Sequence, residues 1–212
     1  MGIFLNNFMD WKTRIYWDLR WILVDFIRKI KSDKNTYDSY IGYVLFLPVL
    51  VWTILDGIIE RQIYDGIVFE NRKKLYSRLK IDLSDDVLFN KINELILVRD
   101  VIIHNHIYGF SILDSERIYT EKIQWKEALI KNHAKNLITT DILHLNIIPD
   151  KLNKDDIILI LNTFKEIIIW FDSAFSSKFG YIFSNYLNNS IYLSEKEITN
   201  LNNEIDSFIP LK

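Results

Sequence analysis

The residues of this chain best equipped for chemistry lie in the run Arg99-Asp100-Val101-Ile102-Ile103-His104-Asn105-His106, which sets a cation and two imidazoles at the end of an apolar stretch. Histidine titrates near neutrality and can move a proton, while arginine offers a planar, permanently charged fork to phosphate oxygens. Together they suit attack on a phosphodiester, with the guanidinium stabilising the extra negative charge of the transition state. RNA supplies its own nucleophile, because its 2′-hydroxyl, once deprotonated, attacks the adjacent phosphorus without a metal. The chain has no clustered carboxylate set for two magnesium ions, which fits such a route. By spacing alone, a satisfied structural histidine is the default reading.

The element that must position these groups is helical. Leu88, Ile92, Leu95, Ile96, Ile102 and Ile103 recur at spacings of three and four, and Arg99 falls in the middle of that stripe. A guanidinium on an apolar face implies a paired core residue or a cleft that opens there. On a continuous helix Arg99 and His104 stand about 140° apart, whereas Arg99 and His106 are only about 20° out of line. Either the helix persists and His106 lies above Arg99, or it unwinds near His104 and folds that imidazole back. Both imidazoles therefore stay in the candidate site. His133 is expected at the surface and His144 as a satisfied, half-buried side chain. Asp56 and Glu60, one turn apart, read as a solvated face.

Composition bounds the rest. With 212 residues, 49% of them hydrophobic, the chain can bury a sizeable core as one domain with an insertion or terminal arm. The absence of cysteine removes disulfides, thiolate metal sites and a thiol nucleophile, and suits a reducing cytoplasm. A net charge of -2 argues against coating nucleic acid by general electrostatics, so any nucleic acid must be gripped in a local cleft. Met1 to Phe8 is followed at once by Asp10, Lys12 and Arg14, with no apolar core region or small-residue cleavage site, so no secretory signal is expected. Abundant isoleucine, asparagine and lysine beside scarce alanine point to an AT-rich, bacterial genome. No Gly-rich phosphate loop, zinc spacing or solenoid repeat is present, and neither a cofactor nor a metal is expected.

Along the chain, Phe8 to Ile30 predicts an amphipathic helix with Phe8, Trp11, Ile15, Leu19, Ile22, Phe26 and Ile30 on the apolar stripe and Lys12, Arg20 and Lys31 among its polar positions. Ser39 to Leu55 carries no charge. It reads as a core helix continuing through Ile58, Ile59, Ile63 and Ile67, with Pro48 near its start or at a kink, or as a short membrane span. Glu70 to Lys80 predicts a helical connector, and Ser84-Asp85-Asp86 an N-cap opening the helix that delivers Arg99. Gly109 is expected to end that helix. From Phe110 to Leu152 the pattern is irregular; Ile118 to Trp125 allows a short hairpin, and Asp141 to Ile148 reads as extended or helical. Asn153-Lys154-Asp155-Asp156 opens another helix through Ile160, Phe164, Ile167, Ile168 and Phe171 to just before Gly180. Ser194-Glu195-Lys196-Glu197 has the capping-box pattern of a last helix. The expectation is an all-α chain of five or six helices.

Arg99-Asp100-x-x-x-His104, with a polar residue after the arginine and Asn105 after the histidine, resembles the R-x4-6-H signature of HEPN-domain proteins. These are all-α bundles, commonly dimeric, and many are metal-independent endoribonucleases in toxin–antitoxin, abortive-infection and CRISPR-associated systems. The resemblance implies Arg99 as the phosphate-binding and transition-state-stabilising residue, Asp100 as the residue that orients the site, His104 as the proton carrier and Asn105 at the substrate. His106 also fits, as R-x6-H. His106-Ile107-Tyr108 resembles the H-x-Y ending of one toxin group whose tyrosine is modified by a nucleotidyltransferase antitoxin; there the arginine and histidine are four residues apart, not six.

The implied organisation is an N-terminal helix in residues 1–36, a HEPN-like helical bundle in 37–190 with an insertion at 110–152, and a C-terminal helix in 191–212. The implied protein is a cytoplasmic ribonuclease, toxin or antiphage effector, acting as a homodimer on RNA under an antitoxin or sensor protein encoded nearby. Two rival expectations are a non-catalytic module that binds RNA or protein, and a membrane-associated protein using Phe8 to Ile30 and Ser39 to Leu55.

Overall fold

The computed structural model describes residues 18–32, 37–64, 86–104, 108–113, 116–121, 132–135, 138–179, 185–194 and 197–208. Among these, helices dominate, in keeping with the all-α expectation, with two small antiparallel hairpins added.

Helix α1 covers residues 18–31 and buries Leu23, Val24, Ile27 and Ile30. The expected stripe is rotated by about one residue: Leu19 and Phe26 are only half-buried, and Ile22 is exposed. Arg20, expected among the polar positions, is buried on the same side. Its guanidinium lies 5.5 Å from the ring centre of Tyr186 and donates from Nη1 to the carbonyls of Tyr186 and Asn189 at 3.4 and 3.5 Å. Those carbonyls lie at the C-terminal end of a short helix, where a cation is favoured. The part of the expected helix before residue 18 lies outside the described residues.

Helix α2 runs Tyr37–Tyr64, with Pro48 in its interior rather than at its start. Proline removes one intrahelical donor. The packing of Val44, Leu47, Val51, Trp52, Ile54 and Leu55 into the core holds the helix together across it. The Phe26 and Tyr43 rings meet edge to face at 5.2 Å, joining α1 to α2. The stretch Ile41–Ile58 is long and apolar enough to cross a membrane, and half of it is buried within this fold. Ile67 and the expected connector at Glu70 to Lys80 lie outside the described residues.

Helix α3, Asp86–His104, is the central one, with Leu88, Ile92, Leu95, Leu97, Val98 and Val101 all buried. Its sequence stripe holds at the N-terminal end, but Ile103 is exposed while Leu97, Val98 and Val101 form the deepest face. Gly109 does not end this helix: Tyr108–Leu113 is a strand, β1, paired antiparallel with β2, Glu116–Glu121, in the register Tyr108↔Glu121 to Leu113↔Glu116. The hairpin thus begins well before the stretch the sequence suggested. The β-branched and aromatic residues of Phe110 to Leu113 and Ile118 to Thr120, divided by Asp114-Ser115, carry the pattern.

Helix α4, Lys154–Phe179, begins and ends where its sequence signals place it. Asn153 Oδ1 accepts the backbone N–H groups of Asp155 and Asp156 at 2.8 and 3.3 Å, a regular N-cap. Ile160, Phe164, Ile167, Ile168 and Phe171 are all buried. The C-terminal part departs from expectation. After α5, Asn185–Asn188, the supposed capping box is a second hairpin, β3 Ile191–Ser194 with β4 Glu197–Thr199. Helix α6, Leu201–Phe208, begins only after it, where Asn200 Oδ1 caps the N–H of Asn203 at 2.8 Å. Leu201, Ile205 and Phe208 join the same core as α1 to α4.

Candidate functional site

Arg99 lies on the C-terminal half of α3, partly open to solvent: its side chain is 31% exposed. It is neither a sealed core residue nor a free surface one. Its Nη1 donates to Asp100 Oδ1 at 2.5 Å, and Asp100 is almost wholly buried, its side chain 5% exposed. Neighbours on a helix point about 100° apart, so the long arginine side chain must bend back toward its successor to make this pair. The buried carboxylate thereby fixes one end of the guanidinium, and the fork carries further donors for a ligand. Exposed Ile103, one turn on, lies on the same side of the helix.

His104 is the last residue of α3. Helical backbone persists from Arg99 to His104, so these two positions stand about 140° apart and about 7.5 Å apart along the axis. One chain's helix does not set them on a common face. Asn105 and His106 lie outside the described residues, and Tyr108 is the first residue of β1, opposite Glu121. Among the described residues no group of three or more histidine, cysteine, aspartate or glutamate side chains is placed to hold a metal ion.

The remaining histidines differ from expectation. His133 is half-buried rather than at the surface; burial pushes its imidazole below the ordinary value, against the opposing pull of the Glu94 and Asp141 carboxylates. His144 is exposed rather than half-buried, with a positive φ of 56° in a tight turn. That turn is closed by the Thr139↔Asn146 bridge and by Thr140 N–H donating to the Leu145 carbonyl at 2.9 Å. Asp141 to Ile148 is therefore extended and turned rather than helical. Asp56, read as part of a solvated face, is half-buried.

Two carboxylates that sequence reading passed over hold this turn against the bundle. Glu94, fully buried on α3, accepts the backbone N–H groups of Ile142 and Leu143 at 2.8 and 2.7 Å. Asp156, buried in the first turn of α4, accepts from the Asn146 backbone and side chain and from the Asn153 backbone, each at 2.9 Å. Buried carboxylates persist where such donors satisfy them. The signal for Glu94 was present in the sequence, an acid set within the apolar run Ile92 to Val98, just as Arg99 was noticed for its charge. Asp156 was hidden, because acids are ordinary in a first helical turn.

No protein-family model, curated protein or solved structure matches this chain.

Proposed function

We propose that the chain is a HEPN-like, metal-independent endoribonuclease, a bacterial toxin or antiphage effector that works in the cytoplasm as a homodimer. The observation that carries this reading is the Arg99–Asp100 pair: a partly exposed guanidinium anchored by a buried carboxylate, on a helix whose last residue is His104. An arginine held at one end and open at the other is suited to a phosphate. In the reaction, an imidazole removes the proton of the RNA 2′-hydroxyl and the oxygen attacks phosphorus. The 5′-oxygen leaves with a proton from a second acid, giving a 2′,3′-cyclic phosphate. Arg99 stabilises the charge that builds on the phosphoryl oxygens.

The wide angle between Arg99 and His104 on one helix, about 140°, is the reason for the homodimer. Two copies facing across these helix ends supply two arginines and two proton carriers around one phosphate. His104 is the first choice for that role, with His106 the second, and an antitoxin or sensor protein would hold the activity in check. The test is incubation of the purified protein with varied RNAs in excess EDTA, followed by identification of the ends. Cyclic-phosphate ends made by wild type and lost in both Arg99→Ala and His104→Ala, with the fold intact, are expected. Full activity in both variants would sink the assignment; RNA binding without cleavage would favour a non-catalytic module.

A further inference from the structure

The pairing that orients Arg99 also occupies it. Asp100 Oδ1 sits at 2.5 Å from Nη1, and the carboxylate is buried while the guanidinium is not. A guanidinium donating to a carboxylate makes a charge-assisted hydrogen bond. A neutral amide at position 100 would fix the same end of the guanidinium without cancelling its charge. The carboxylate does both, so at rest the site presents a guanidinium that is oriented yet largely neutralised. We infer that Asp100 acts as a built-in competitor for the anion Arg99 takes, so that the site refuses small free anions and accepts a phosphate only within a polyanion that adds contacts elsewhere.

This inference deepens the ribonuclease reading and rests on it for the identity of the polyanion. Its physical basis is local. A lone inorganic phosphate or mononucleotide must supply all of its binding energy against a carboxylate already in place, and a half-exposed site screens the attraction it feels. An RNA strand delivers its phosphate with neighbouring phosphates and bases attached, so the second contact is made at high effective concentration. A cytoplasmic ribonuclease working among abundant free phosphates needs such discrimination, and the net charge of -2 adds no general attraction for small anions. Asp100 is thus a positioning residue that acts through Arg99.

The experiment reads Arg99 directly. Phenylglyoxal labelling of the arginines, followed residue by residue by mass spectrometry, is run on wild type with inorganic phosphate, with ATP, and with a 2′-O-methyl RNA that binds without being cut. The RNA should protect Arg99, and millimolar phosphate or ATP should not; protection by either small anion overturns the inference. In Asp100→Asn, labelling of Arg99 should quicken about tenfold, small anions should now protect it, and the 2′-O-methyl RNA should bind about tenfold tighter with a steeper salt dependence. Tightening that persists unchanged when Arg99→Ala is added, or labelling that does not quicken, also overturns it. If labelling quickens but no form of the protein binds RNA, the hold of Asp100 on Arg99 stands and the ribonuclease reading falls. The wild-type protection pattern decides the matter even if Asp100→Asn does not fold.

Discussion

Arg28 and Arg99 hold carboxylates at nearly the same range, but the chain distance over which they reach differs by two orders of magnitude. Arg28, on α1, donates to Glu197 on β4 at 2.6 Å and to Glu204 on α6 at 2.5 Å, closing a loop through most of the protein. Arg99 holds its immediate neighbour. The first pair ties the two ends of the described fold together; the second lies within one helix. An ion pair between adjacent residues contributes little to tertiary structure. On the central helix the buried Asp100 fixes the direction of Arg99 from within the same helix, where Arg28 is fixed by acids on two other elements. The two arginines separate a charge used for folding from a charge available to a ligand.

The strongest way to break that separation is to truncate both. Arg99→Ala should lower RNA cleavage by about 10²–10³, the usual loss when a donor to transition-state charge is removed. It also takes a charge partner from the buried Asp100 carboxylate, so its urea midpoint should fall, and adding Asp100→Asn should restore the midpoint but not cleavage. Arg28→Ala, by contrast, should lose stability while the remaining folded protein keeps its turnover. A stability loss in Arg99→Ala that Asp100→Asn does not relieve would mean that both arginines serve the fold, and the comparison would collapse.

How far the sequence announced this arrangement depends on how local each cause is. Asn153 and the apolar spacing that follows it fix both ends of α4, because a cap and a 3.6-residue period need no distant partner. Arg99 stood out for the same reason, a charge within an apolar run. Arg20 did not, since what makes a buried arginine acceptable is a ring and two carbonyls some 166 residues or more away. Ser194 to Glu197 carried a local helix-start signal that lost to tertiary context. Cross-strand pairing of Ile191 with Thr199 and burial of Ile191 place the segment in a hairpin, and Asn200 takes over the capping role. Of the site itself, the sequence supplied the residue types and the angle between Arg99 and His104. It did not supply the bend that brings Arg99 onto Asp100, which depends on the burial of that carboxylate.

Glu94 sharpens the comparison from the opposite sign of charge. It lies five residues before Arg99 on the same helix, yet it is wholly buried and joins α3 to the turn at Ile142 and Leu143. Glu94→Ala leaves two backbone donors without their acceptor and should cost about 2–3 kcal/mol in a denaturant titration. Hydrogen exchange at the Ile142 and Leu143 amides should accelerate more than at the α4 amides. Uniform acceleration would show that the turn and the bundle open as one unit.

Arg28→Ala should cost about 1–3 kcal/mol, chiefly because it strands the Glu204 carboxylate. The side chain of that acid is only 10% exposed. Burial alone would raise the Glu204 pKa; hydrogen bonds from Arg28 and Thr199 overcome it and hold the carboxyl below its ordinary value. A carboxyl depressed in the folded state adds stability above its unfolded pKa and loses it as pH falls through the folded pKa. His133, depressed by burial, likewise favours the folded state above its unfolded pKa and forfeits that as pH drops. Acid titration of stability should therefore show two losses, the upper one removed by His133→Gln and the lower by Glu204→Gln. A single transition unaffected by either substitution would contradict both assignments.

The smallest effect tests whether close range alone could have told these pairs apart. Lys91 on α3 meets Glu166 on α4 at 2.7 Å, nearly as close as the Arg28 pairs and, like them, between two elements. Glu166 is 46% exposed, however, so water and salt compete for it and little is left unsatisfied when its partner goes. Lys91→Ala should cost no more than about 0.5–1 kcal/mol, and less in molar salt, where the Arg28→Ala penalty should largely survive. If Lys91→Ala were as damaging as Arg28→Ala, reach along the chain would matter and burial of the acid would not. Arg28 would then owe its importance to topology alone.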